Sequence, residues 1–170
     1  MADLRNEVVF VCTANTCRSP MAAGLFRHAL KAQPDPLNFL KVSSAGVSAF
    51  ERQPANPNSI RAMSKVGVNI EDHRSQPLLP SMVDSALAFF GMTESHLAML
   101  SLQLTPEPSN AFLMREFIGE DASIAIPDPF GMDLSAYEAC RDSMVEAIPS
   151  LIRIVEQLYA AQLPSSSDDK

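Results

Sequence analysis

The 170-residue sequence holds no tryptophan, two tyrosines and only three cysteines. Three thiols cannot all pair within one chain, and two of them crowd one short stretch, so a disulfide framework is excluded and reduced cysteines are expected. No apolar run approaches the ~20 residues of a membrane span, so no membrane partner is expected. Positive charge is also short. The 13 basic residues face 20 acidic ones, and the net charge of −7 repels a phosphate backbone over most of the surface. Nucleic acid is therefore not an expected partner. The N-terminal apolar segment starts only after three charged residues of mixed sign and lacks a small-residue cleavage site, which points to a cytoplasmic location.

What is present suits one domain, expected over residues 1–163 with a flexible polar tail at 164–170. Neither an internal repeat nor a dividing linker interrupts it. Glu7 to Val11 predicts a strand, and Ser19 to Lys31 a helix with apolar residues on a 3.6 period. Asn38 to Val42 predicts a second strand running into Ser43-Ser44-Ala45-Gly46. A helix near Asn58 to Lys65 follows, closed by Gly67. Val83 to Phe90 reads as a third strand, Thr93 to Leu100 as a helix capped by Thr93, and Ala111 to Met114 as a fourth strand. Leu134 to about Ala161 has helical spacing, with a kink or break expected at Pro149. Strands alternating with helices predict an α/β domain with a parallel sheet, whose ligands bind beyond the carboxyl ends of the strands.

That is where VVFVCTANTCRSP, residues 8–20, falls. Residues Thr13 to Cys17 arrive at a helix N-terminus, where unpaired N–H groups and the helix dipole favour an anion of phosphate size. Arg18 adds a planar fork able to bind two phosphoryl oxygens. Cys12, at the end of the strand, faces the same donors, which favour its nucleophilic thiolate. Five residues between Cys12 and Arg18 let the backbone curl around one tetrahedral anion, and a cysteinyl-phosphate intermediate follows. Ser19 is placed to donate to the Cys12 sulfur. Asn15 is a residue type that tolerates left-handed backbone geometry.

The stretch resembles the phosphate-binding loop of the low-molecular-weight protein tyrosine phosphatases, and the element order matches over roughly residues 6–160. The resemblance implies a four-stranded parallel sheet flanked by helices. It implies Cys12 as nucleophile, Arg18 as phosphate clamp, and Thr13, Ala14, Asn15, Thr16, Cys17 and Ser19 as the loop. Ser44 and His73 fall where the family braces the loop asparagine. Asp128 in Asp128-Pro129-Phe130-Gly131 matches the family's general acid, and Phe50 and Phe130 its substrate wall. Beside that, Pro129 biases Asp128 away from helical geometry, and the apolar Ile126 and Phe130 are expected to desolvate it so that it holds a proton. Where the family usually has glycine this chain has Ala14, a source of strain if the position needs positive φ. Ala23 stands where an acidic residue is common.

The implied partners are a phosphorylated protein or peptide as substrate and inorganic phosphate as product, with no cofactor and no metal. A zinc site at Cys12 and Cys17 lacks the further ligands that four-coordination needs. Among activities, phosphotyrosine hydrolysis is placed first. Thr16, where tyrosine enzymes usually carry a bulky aliphatic, keeps a protein-arginine phosphatase as the alternative. Arsenate reduction would need two further cysteines after the third strand, and none lies between Cys17 and Cys140. A non-catalytic phosphate-binding module would lack the nucleophile and the acid. Cys17 is either a partner for a reversible protecting disulfide with Cys12 or a packed thiol. Cys140 reads as packed, and His28 and His96 as helix-surface residues.

Overall fold

The computed structural model describes residues 3–165, so most of the expected tail lies outside the described residues. Four strands, β1 (Glu7–Cys12), β2 (Lys41–Gly46), β3 (Ala86–Gly91) and β4 (Ala111–Leu113), pair in parallel in the order β2-β1-β3-β4. Five helices join them: α1 (Arg18–Leu30), α2 (Pro57–Ser64), α3 (Met82–Ser85), α4 (Glu94–Gln103) and α5 (Leu134–Ala161). The expected α/β fold with its parallel sheet is present.

β1 is central, and its near-continuous apolar sequence reflects burial on both faces. Val8, Phe10 and Cys12 point into the larger core beneath α1, α2 and α5, while Val9 and Val11 point into a second core with Leu100 and Leu104 at the α4 side. Phe10 stands edge-on to Phe26 of α1, with centroids 5.5 Å apart, and stacks on Phe90 of β3 at 5.7 Å. Burying one such ring stabilises the domain by roughly 1.5–3 kcal/mol. The larger core is thereby fixed directly beneath the end of β1.

Three boundaries differ from the sequence reading. β2 begins at Lys41, because Leu37–Phe39 close a 3₁₀ turn through Leu37 N–H to Pro34 O and Phe39 N–H to Pro36 O. It then runs through four small residues that propensity alone would not place in a strand. Their pairing with Val9 to Cys12 overrides propensity, and small size is required there: a Cβ on Gly46 would sit 2.5 Å from Thr13 O. The expected third strand splits into one helical turn, Met82–Ser85, and β3 proper, a division that an unbroken apolar run does not announce. α5 runs without a break through Pro149. Gly67, at φ 77°, ends α2 as expected, with Val68 N–H on Met63 O.

The chain leaves β1 toward β2 on one side and returns to β3 on the other. The carboxyl ends of β1 and β3 therefore flank the switch point of the sheet, where a crevice opens. The loop after β1 and the N-terminus of α4 meet across it.

Candidate active site

Residues 13–17 form a curl whose carbonyls point outward. Cys12 O accepts from Val47 N–H, Thr13 O from Ser48 N–H at 2.9 Å, Thr16 O from Asn56 N–H at 2.8 Å, and Cys17 O from the Ser59 hydroxyl. Asn15 O accepts from His73 Nε2 at 2.7 Å, which fixes the protonated nitrogen of that ring. The N–H groups of residues 13–17 donate to no protein acceptor among the described residues. With the carbonyls held from outside, these donors face the hollow of the curl, an arrangement made for an anion.

Asn15 makes the curl possible. Its backbone has φ 57°, and its amide nitrogen donates to Ser19 Oγ at 2.7 Å and Ser44 Oγ at 2.8 Å, while its Oδ1 accepts from Gln76 N–H at 2.9 Å. Every polar atom of this fully buried side chain is therefore used. Ser19 Oγ, already an acceptor from Asn15, lies 2.9 Å from Cys12 Sγ and has its own proton free to donate there. This chain of donors runs from Asn15 through Ser19 and ends on the sulfur. Ala14 is not among the positive-φ residues, so the strain considered for it does not arise.

Arg18 is 4 % exposed, and its guanidinium donates to Ile126 O at 3.0 Å and stands 3.5 Å from Asp128 Oδ2. A buried guanidinium needs such partners, and the carboxylate is the exchangeable one. Asp128 Oδ1 accepts from Phe130 N–H at 3.1 Å. The Asp128 side chain is half exposed, so desolvation by Ile126 and Phe130, expected from sequence, is not what its surroundings supply. Cys12, Thr13, Ala14, Thr16, Cys17, Arg18, Asp128 and Phe130 line one cavity of about 210 Å³. Phe50, by contrast, is 82 % exposed and is not part of that lining. The structure thus gathers the expected residues at or behind one cavity, with Phe50 apart from its wall. The Asp128 loop also walls a larger, mostly apolar cavity of about 460 Å³ that reaches Cys140.

Three neighbours escaped the sequence reading. Gln76 caps Asn15 and also donates through Nε2 to Ser44 O. The Tyr137 hydroxyl, from α5, lies 3.5 Å from Cys17 Sγ, and burial raises both groups above their ordinary values. His96 is not on the surface: it is 3 % exposed, its Nδ1 accepts from Thr93 N–H at 3.1 Å, and its Nε2 lies 3.0 Å from Thr13 Oγ1. The signal available was its place three residues after the helix-capping Thr93, where a side chain reaches back over the helix start. Cys140 is packed as expected, with its thiol pushed up to about 12 by burial.

Burial, with Arg18 nearby, pushes His96 down to about 4, and burial also lowers His73. Both rings are neutral in the folded protein and accept protons more readily once unfolded. The contribution of His96 to stability is therefore complete above pH 6.5 and is lost as pH falls through 4, and His73 acts in the same direction. His96 alone should cost on the order of 2 kcal/mol of stability at pH 5 relative to pH 7. Urea denaturation at the two pH values checks this, and His96→Gln should flatten the difference.

The profile of the low molecular weight phosphotyrosine protein phosphatase family matches residues 7–162. A protein-arginine-phosphatase of Geobacillus stearothermophilus is 35% identical over 157 residues, covering 92% of this chain and 98% of the relative. One from Bacillus subtilis is 32% identical, covering 86% and 95%. The crystal structure of a low molecular weight protein tyrosine phosphatase from T. tengcongensis superposes with a TM-score of 0.78 at 34% identity, covering 87% of this chain and 98% of the other.

Proposed function

The chain belongs to the low molecular weight phosphotyrosine protein phosphatase family, and from that premise we propose that it hydrolyses phosphotyrosine in proteins or peptides through a cysteinyl-phosphate intermediate. The observation that carries the proposal is the Cys12 sulfur, hydrogen-bonded to Ser19, in one cavity with Arg18, Asp128 and the outward-braced loop. In the first step Cys12 Sγ attacks phosphorus, the loop N–H groups and Arg18 hold the equatorial oxygens, and Asp128 gives a proton to the departing phenolate oxygen. In the second, Asp128 takes a proton from water as that water displaces the sulfur, and inorganic phosphate leaves. Ser19 stabilises the departing thiolate. Asn15, Ser44 and His73 hold the loop in shape, and Phe130, 70 % exposed at the cavity wall, offers a face on which a phenyl ring can stack.

The reading includes a single domain over 1–163, a cytoplasmic location, and no nucleic-acid partner, consistent with the net charge of −7. No helix among the described residues is long and apolar enough to cross a membrane.

A second reading, a protein-arginine phosphatase, is favoured by Thr16 in the cavity wall. The names of the two relatives above agree with it. Thr16→Ile separates the two. If the residue selects the substrate, kcat/KM on a phosphotyrosine peptide relative to a phosphoarginine peptide should rise by about 10-fold or more, the scale on which a pocket reads one aliphatic group. An unchanged ratio would remove Thr16 as selector, and the parent's own preference decides the substrate class.

A further inference from the structure

The loop is braced at its Asn15 end by Ser44, Gln76 and His73, and its Thr13 end is held from both sides of the crevice. There the Thr13 carbonyl lies on Ser48 N–H and against Gly46, while its side chain reaches His96 at the start of α4. The direction of that last bond follows from the first turn of the helix. Thr93 N–H can only donate, so His96 Nδ1 accepts. A neutral imidazole then carries its proton on Nε2, and the proton points at Thr13 Oγ1. Thr13 Oγ1 takes part in no other hydrogen bond among the described residues, and Thr13 lines the cavity. Having accepted from His96, its hydroxyl has its own proton left to offer toward the cavity.

We propose that His96 is a positioning residue for the phosphate loop: anchored at Nδ1 by Thr93, it donates through Nε2 to Thr13 Oγ1. That bond locks the Thr13 end of the curl and turns the Thr13 hydroxyl proton toward the bound phosphoryl substrate. The inference rests on the phosphatase reading for its substrate but on the hydrogen-bond geometry for its substance. It couples β3–α4 to the loop after β1 across the switch point. Arg18 and Asp128 are the charged groups that act on that ring, and its burial keeps it neutral.

Asparagine and glutamine at position 96 separate this role from a structural one. Asparagine places its oxygen near Nδ1 and keeps the cap on Thr93 N–H, but it is too short for Thr13. Glutamine reaches Thr13 with an N–H donor. His96→Asn should lower kcat/KM on an aryl phosphate by about 10- to 100-fold, chiefly in kcat, with thermal unfolding near that of the parent. His96→Gln should recover most of the loss. Thr13→Val, which leaves His96 in place, should match His96→Asn, and the double variant should be no worse than either. Parental kcat/KM in His96→Asn, or equal impairment in Asn and Gln, would overturn the proposal. Imidazole ¹⁵N NMR on the full chain gives an arm independent of activity: the neutral Nε2–H tautomer at pH 6 is expected, and the Nδ1–H tautomer or a charged ring overturns the proposal. A parent without turnover sinks the phosphatase reading, and the tautomer then decides the positioning role alone.

Discussion

Cys12→Ser should abolish steady-state hydrolysis of an aryl phosphate, by roughly 10⁴- to 10⁶-fold, the scale on which removal of a nucleophile is felt. The loss is chemical. A serine hydroxyl at the end of β1 has no base hydrogen-bonded to it to take its proton, because the neighbour in reach is Ser19, itself a neutral hydroxyl. Binding should survive, because the cradle is made of backbone N–H groups and Arg18, and the carbonyls that orient it are held by Val47, Ser48, Asn56, Ser59 and His73. Isothermal calorimetry with inorganic phosphate alongside turnover measures both halves. Undiminished turnover in the serine variant would end the cysteinyl-phosphate mechanism. Lost binding together with lost turnover would show that the sulfur, rather than the braced backbone, holds the anion.

The second large effect is expected at Asp128. Asp128→Asn should lower kcat on a phosphotyrosine peptide by about 10²- to 10³-fold, as general acid catalysis of this kind contributes. On para-nitrophenyl phosphate the pattern should change. Its leaving group departs without a proton, so Cys12 is phosphorylated quickly, but no base remains to activate water. Stopped-flow should then show a burst near one equivalent of nitrophenol followed by slow turnover. The geometry explains why Asp128 is available for both steps. Oδ1 is tied to Phe130 N–H, whereas Oδ2 rests on Arg18 at 3.5 Å. A phosphoryl group that takes the guanidinium frees Oδ2 and sets it beside a second negative group in one small cavity. Equal steady-state rates for parent and Asn variant on both substrates would remove Asp128 from the chemistry.

These two residues were legible at different depths. Cys12, Arg18 and Ser19 lie in one unbroken stretch, and a strand end, five residues and a helix start leave the backbone little choice, so spacing alone pointed to one shared site. Asp128 was legible through its Asp-Pro-Phe-Gly loop, yet its side chain is half exposed beside Arg18 rather than desolvated. Phe50 lies outside the lining of the cavity. Its sequence neighbourhood matched a wall residue, but nothing in a loop sequence states which way the ring faces, and here it faces water.

The sequence by itself determined that a parallel α/β sheet would place a cysteine, an arginine and a helix N-terminus at one point, because periodicity and local spacing act over neighbouring residues. Tertiary structure alone decided the orientation of that point. The outward pull on the loop carbonyls, the saturation of Asn15 by Gln76, and the reach of His96 to Thr13 all join residues 35 to 83 positions apart in the chain. Such hydrogen bonds depend on how β2, β1 and β3 lie side by side, and local spacing does not state which distant residues that pairing brings together.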